Sequence, residues 1–400
     1  MPTTIPNINH ALRCQSQEQA DLAIYVHWPY CLSKCPYCDF NSHVEQSVPP
    51  SDWSAAIRKQ IKEGAKLLGP RKITSIFFGG GTPSLMEPKI VGEIIDQIGQ
   101  QWHLQDSVEI TLEANPNSSE AEKFADLRNA GVNRLSLGVQ SLVDRDLKFL
   151  GREHTAREAR AAAEIARDTF THSSIDLIYS RPAQTMDQWE KELREAIGLV
   201  GDHISVYQLT IERGTAFYAR QKSGDLLIPN DDTAVQLYRQ TQSLLCDLGL
   251  PAYEISNHAH PGSESQHNLA YWLYKDYLGV GPGAHSRITL DGRIYALSQL
   301  RSPAKWFRES KMGNFLENCR DSLSLLQSTR EIVIMGLRLH QGISKKWFEK
   351  RTGHLLDEML DFSVLRNLSV NNFIINNTEK LQLTTRGRPL LNAIIERLLP

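Results

Sequence analysis

Between Asp21 and about Leu250 the chain switches six times from a short apolar run to a stretch of helical periodicity. No other property narrows the fold as much. Strands separated by helices of this length lie parallel, and a parallel sheet needs helices to cover it. The pattern predicts strands at 22–27, 73–78, 108–113, 133–139, 173–179 and 203–210. It predicts helices at about 51–68, 87–101, 118–130, 155–168, 186–200 and 231–248. Several strands are apolar on both faces, and Ser51, Ser118 and Asp231 stand where helix caps belong. Six β/α units in order suit an α/β fold, an incomplete parallel (β/α)6 barrel. The units alone do not separate it from a doubly wound sheet, but in both folds ligands gather at the C-terminal strand ends.

The pattern changes near residue 300. Helices at 327–339, 344–352 and 354–367 precede two β-like runs, 372–376 and 379–384, and a last helix from about 386. This order looks like a winged-helix-type α+β module. The 400 residues therefore divide into a core domain, 1–300, and a C-terminal domain, 301–400. Such modules often bind DNA, but fold does not fix function. The net charge of −2 argues against a general nucleic-acid partner, and only Arg386 and Arg388 mark the last helix as basic. Residues 301–400 hold 16 basic and 10 acidic side chains, which reads as a mixed solvated surface or as a face for an acidic partner or anionic lipid. No apolar run spans a bilayer and no basic, apolar leader is visible, so a cytoplasmic protein is expected.

Cys31, Cys35 and Cys38 follow the first strand in the spacing C-x3-C-x2-C. A [4Fe–4S] cube usually takes four thiolates; three leave one iron open to a ligand. A Cys3His zinc site with His43 is the rival reading, though structural zinc ligands usually come in two separated pairs. A disulfide framework is disfavoured, since there are six cysteines in 400 residues and Cys14, Cys246 and Cys319 are scattered. The three-cysteine loop resembles the signature of radical SAM enzymes. In that family the open iron binds the amino and carboxylate groups of S-adenosylmethionine (SAM). The resemblance also implies the open six-unit barrel.

Further motifs close the other strands. Gly79-Gly80-Gly81-Thr82-Pro83-Ser84 follows the second, and its glycines let backbone approach a ligand. Glu113 ends the third strand, where a carboxylate can accept from ribose hydroxyls. Gln140 ends the fourth, Arg152 follows in Leu-Gly-Arg-Glu-His, and Asp176 lies in the fifth. Together with Tyr25 these motifs resemble the family of the oxygen-independent coproporphyrinogen III dehydrogenase, over most of the chain. The resemblance implies that Tyr25, Gly80, Gly81, Thr82 and Glu113 carry the cluster-bound SAM. It implies that Tyr37, Gln140, Arg152 and Asp176 contact a second one. One departure is local: relatives commonly read Asp-Leu-Ile-Tyr-Gly-Leu-Pro-Gly-Gln, whereas this chain has Ser180-Arg181-Pro182-Ala183-Gln184. Two lost glycines restrict the turn.

The dehydrogenase carries a fourth cysteine two positions after the third; here Phe40 stands there. That pattern resembles instead the haem-chaperone branch of the family. His267-Asn268-Leu269-Ala270-Tyr271-Trp272 matches the H-N-x-x-Y-W motif attributed to haem binding in that branch. A neutral imidazole suits haem iron, and Tyr271 and Trp272 offer flat apolar faces. The competing reading is a capped turn with two core aromatics. His258 and His260 are rival ligands, and His285, in a Gly-Pro-rich loop, is either a site residue or a turn residue. The resemblance thus implies a haem chaperone with a [4Fe–4S] cluster, SAM and haem as cofactors. It would transfer haem to an acceptor, plausibly a respiratory haem protein at the inner face of the membrane, and would form a homodimer. The alternative is the dehydrogenase itself, which oxidatively decarboxylates two propionates of coproporphyrinogen III to vinyl groups.

Overall fold

The computed structural model describes residues 20–44, 50–313 and 320–399; Cys14 and Cys319 lie outside them. Six parallel strands, β1 (Asp21–Trp28), β2 (Lys72–Gly80), β3 (His103–Ala114), β4 (Arg134–Gln140), β5 (His172–Tyr179) and β6 (His203–Gln208), pair strictly in sequence order. That order decides between the two architectures. A doubly wound sheet reverses direction at a switch point, whereas a strand order without reversal winds one way and keeps every crossover helix on one face.

The two faces differ in chemistry. Ile76, Phe78, Leu112, Leu137, Leu177 and Val206 point outward into the helix layer and form one buried core with Ile57, Ile94 and Leu193. The registers Phe77↔Thr111, Thr111↔Arg134, Ser75↔Glu109 and Ser174↔His203 place aromatic and polar residues on the inner face. The strands are therefore apolar outside and largely polar inside, less uniformly apolar than the sequence suggests. A barrel that holds a charged ligand needs such a lining.

Five of the six expected helices fall within a residue or two of expectation, and the sixth, 118–130, breaks into Ser118–Ala121 and Phe124–Asn129. Thr155 and Thr185 form full capping boxes with Glu158 and Gln188. Asn117 and Asn230, one residue before the expected Ser118 and Asp231, do the capping there. Beyond the expected units the sheet grows to 11 strands. β7 (Asn257–Ala259) pairs antiparallel with β6, and β8 (Tyr277–Val280) pairs parallel with β1. β9 (His285–Leu290), β10 (Arg293–Ser298) and β11 (Arg320–Ser322) extend that edge antiparallel.

A second core gathers Ile332, Val333, Phe348, Leu365, Leu381 and Ile394. Its helices are α1 (Leu325–Gly336), α2 (Lys345–Thr352), α3 (Phe362–Val370) and α4 (Leu391–Leu398). Its small sheet runs β12 (Ile343–Ser344), β14 (Lys380–Leu383), β13 (Ile374–Asn376), the hairpin and third strand of a winged helix. The expected helix at 354–367 is instead a 3₁₀ turn, Leu356–Met359, followed by α3. Asp361 causes the break, because its side chain accepts from the Ser363 and Val364 amides and starts a new helix.

Candidate functional site

The cysteine loop leaves β1 and folds back, with Tyr30–Cys31 pairing parallel to His43–Val44. The three thiols are free and half-buried, and each faces a different neighbour. Thr82 Oγ1 donates to Cys31 Sγ at 3.4 Å, Arg152 Nη1 donates to Cys35 Sγ at 3.4 Å, and Ser42 Oγ lies 3.8 Å from Cys38 Sγ. Burial pushes the Cys31 and Cys38 thiols up, so holding them as thiolates requires positive charge at the loop. Among the described residues no three Cys, His, Asp or Glu side chains gather as they would for a single metal ion. His43 turns its Nε2 to Asn41 Oδ1, 3.4 Å away. Three separated thiols on one loop fit a cube of several irons better than one zinc ion.

The glycine run supports this loop. Gly81 N–H donates to Trp28 O at 2.6 Å and Thr82 N–H to Tyr30 O at 2.8 Å. A Cβ on Gly81 would stand 2.5 Å from Tyr30 O, and Gly80 has φ +118°, so neither position tolerates a side chain. The Gly80 N–H reaches Glu113 Oε2 at 3.1 Å. Burial raises the Glu113 carboxyl to about 8, with Asp176 adding to the effect and the Gly80 N–H opposing it. Burial likewise raises Asp176 to about 6 against the hydroxyls of Ser205 and Ser136. Two carboxyl groups short of compensating charge in one cavity make a site for a cation, and SAM carries a sulfonium and an ammonium.

Arg152 binds the floor together. Besides Cys35 it donates to Asn115 Oδ1 at 2.5 Å and to Gly138 O at 2.8 Å. Gln140 sits at a break in the β4–β5 register with φ +67°, an expensive conformation for a side-chain-bearing residue, and its buried Oε1 has no partner. Such strain next to an orphaned acceptor points to a ligand that donates there. Tyr37 also lines the cavity, its hydroxyl pushed up by burial.

Eleven of the predicted positions (Cys31, Cys35, Tyr37, Cys38, Gly80, Gly81, Thr82, Glu113, Gln140, Arg152 and Asp176) thus line one cavity of about 870 Å³. Tyr25 and His267 do not line it. Tyr25 lies beneath, stacked on Phe77, with its hydroxyl 3.0 Å from His27 Nδ1. His267 is fully buried lower in the barrel, 2.9 Å from Ser75 Oγ through Nδ1 and 2.9 Å from Tyr271 OH through Nε2. It stacks on Phe77 at 5.0 Å, and burial lowers its pKa to about 3. Its helix (Gln266–Trp272) is held by Ser265 at the cap and by Glu109, which accepts from the Gln266 and His267 amides at 3.0 Å each. Arg134 balances Glu109 at 3.7 Å. Glu109 and Arg134 escaped sequence reading, since an alternating strand gives no sign of which polar residue meets a distant helix. His258 is buried and its Nε2 lies 3.1 Å from Gln242 Nε2, His260 packs on Gly249 O, and His285 meets Ser298; none of the three lines the cavity.

The far wall comes from the end of β6, from helix Asp231–Asp247, and from the C-terminal module through Arg338 and the segment 388–393. Both structural units therefore enclose the same space.

Comparison with known proteins agrees with this geometry. The radical SAM superfamily model matches residues 25–196, and that of the HemN C-terminal domain matches residues 323–390. The Heme chaperone HemW of Haemophilus influenzae is 36% identical over 385 residues, 94% of this chain and 97% of that protein. The mitochondrial radical S-adenosyl methionine domain-containing protein 1 of Danio rerio is 35% identical over 386 residues, 95% of this chain and 87% of that protein. The solved coproporphyrinogen III oxidase (HemN) of Escherichia coli superposes with a TM-score of 0.78 at 22% identity, covering 94% of this chain and 90% of that one, and so shares the fold. With three thiols at the mouth of an open barrel and relatives aligned along nearly its whole length, the chain belongs to the HemW family of the radical SAM superfamily.

Proposed function

We propose that this protein is a haem chaperone on a radical SAM scaffold, which binds haem and passes it to an acceptor protein. Cys31, Cys35 and Cys38 would hold a [4Fe–4S] cluster, and Gly80, Gly81, Thr82 and Glu113 would hold the SAM on its open iron, with Tyr25 supporting them from below. Tyr37, Gln140, Arg152 and Asp176 would meet a second SAM molecule. When bound, the cluster supplies an electron able to split a C–S bond of SAM. The protein's own part is to hold three thiolates, to neutralise the ligand's cations with Glu113 and Asp176, and to keep water out.

The observation that carries the chaperone reading over the dehydrogenase is Phe40. It lies at the cavity mouth, 60% exposed, where the enzyme has a fourth cysteine. A phenyl ring there offers neither a ligand nor a proton. The acceptor is proposed to be a respiratory haem protein at the cytoplasmic face of the membrane, approached by a homodimer; no helix among the described residues is long and apolar enough to cross a membrane.

Anaerobic, cluster-reconstituted protein given coproporphyrinogen III, SAM and a reductant should yield no protoporphyrinogen, with a dehydrogenase as positive control. Catalytic product would make the chain an enzyme of tetrapyrrole oxidation. Cys35→Ala should lose the cluster, and retention of four irons per chain would overturn the assignment.

A further inference from the structure

Resting on the haem-carriage reading, we propose that Arg388, backed by Tyr238, is the anchoring point for a carboxylate of the tetrapyrrole, at the cavity wall away from the cysteines. Arg388 is 7% exposed and lines the cavity. Its Nη2 donates to the backbone carbonyl of His340 at 3.2 Å, and its Nη1 is buried with no partner. No ion pair among the described residues involves it. The other buried guanidiniums each have an acid: Arg181 has Glu192, Arg134 has Glu109, and Arg71 has Asp276. Glu254, whose charge also reaches Arg388, is already paired with Arg338; a buried guanidinium with no ion pair of its own is costly, and one facing a cavity is held ready for an anion from outside the chain. The Tyr238 hydroxyl, also lining the cavity, is buried and unpartnered. Two neighbouring orphaned donors thus face the same wall.

The walls around them suit a flat apolar body. Leu209, Val235, Ile255 and Leu391 line that side, and about 870 Å³ is ample for a large planar ligand. Arg338, which also faces the cavity, is engaged with Glu254 at 2.9 Å and lies over the Trp272 ring at 4.5 Å. It therefore links this wall to the buried helix that carries His267, and leaves the free charge to Arg388. A carboxylate could come from haem or from SAM itself, so the test separates the two.

Ferric haem and its dimethyl ester would be titrated by absorbance into wild-type, Arg388→Leu and Arg388→Lys protein, with SAM titrated in parallel. Wild type should bind haem at least tenfold more tightly than the ester. Arg388→Leu should bind the two alike, and Arg388→Lys should recover part of the preference. SAM affinity should be the same in all three. Iron content after reconstitution checks folding, and the ligand-free melting temperature of Arg388→Leu should equal or exceed that of wild type, because the buried charge is gone. A wild type that does not distinguish haem from its ester, or a preference that survives in Arg388→Leu, overturns the anchor alone. Loss of SAM rather than haem affinity overturns it in favour of a SAM carboxylate. A wild type that binds neither porphyrin overturns the anchor together with haem carriage.

Discussion

Ser180 and Ala183 adopt φ of +60° and +55° at the two places where relatives carry glycine. The backbone has kept the left-handed turn and lost the residue that adopts it without strain. Arg181 between them explains how the turn holds: fully buried, it pairs with Glu192 and donates to Ser141 Oγ at 2.5 Å. Ala183 is exposed, so Ala183→Gly should stabilise the protein by about 0.5–1 kcal/mol in urea unfolding, the relief of strain exceeding the added chain entropy. Glu113 makes the second residue-scale prediction. Its folded pKa of about 8 exceeds the unfolded 4.5, so between those values the native state keeps a proton that the unfolded state has released. Stability of the ligand-free protein therefore falls as pH rises through that window. Glu113→Gln should flatten the slope, gain on the order of 1–3 kcal/mol at pH 8, and weaken SAM binding; an unchanged slope in thermal melts would refute the assignment. The positions that line the cavity were legible because they sit in motifs at strand ends. Arg388 was not: in the sequence it is one cation near a terminal helix, and only folding brings it to a cavity opened more than 300 residues earlier.

At the scale of elements, the helix Gln266–Trp272 is seated inside the barrel as its base, and this changes what His267 can do as the protein stands. Both ring nitrogens are engaged, so iron ligation requires the helix to leave its seat. His267→Ala strands the hydroxyls of Ser75 and Tyr271 and opens a cavity, which should cost about 2–4 kcal/mol in denaturant unfolding. If His267 also ligates haem, the Soret band of the loaded protein shifts in the same variant; a loss of stability with an unchanged spectrum assigns it to the barrel base alone. The six barrel strands could be read from the sequence because their outward faces are unbroken runs of Ile, Leu, Val and Phe. β8 to β11 could not: β8 is a buried run of four residues that ends at Gly281-Pro282-Gly283, and β9 to β11 pair antiparallel at an edge, where short, half-exposed strands lose apolar contrast. The break at Leu360-Asp361 was hidden for a related reason: helical periodicity continues across it, and only the Asp361 cap interrupts the chain.

Across the whole molecule, the module and the barrel are joined by charged contacts as well as by the shared core residues Tyr274 and Ile294. Asp276, beside β8, takes Arg71 at 3.3 Å from the barrel and Arg351 at 2.8 Å from α2. Glu331 of α1 takes both arms of Arg287, each at 2.7 Å. Breaking a buried ion pair on one side costs about 3–5 kcal/mol. Asp276→Asn should therefore lower the melting temperature and split a single calorimetric transition into two, while one sharp peak would show that the apolar contacts suffice. The base of the barrel has a wider consequence. The segment from Tyr253 to Tyr274 fills the barrel beneath the chamber and lends Ile255 and Ser256 to its wall, yet none of the three cysteines, the glycine run or the carboxyl groups belongs to it. Lineages can therefore lengthen, trim or repack that one insert and resize the cargo hold while the machinery at the rim stays as it is, so that neighbouring family members can diverge in what they carry before they diverge in how they are loaded.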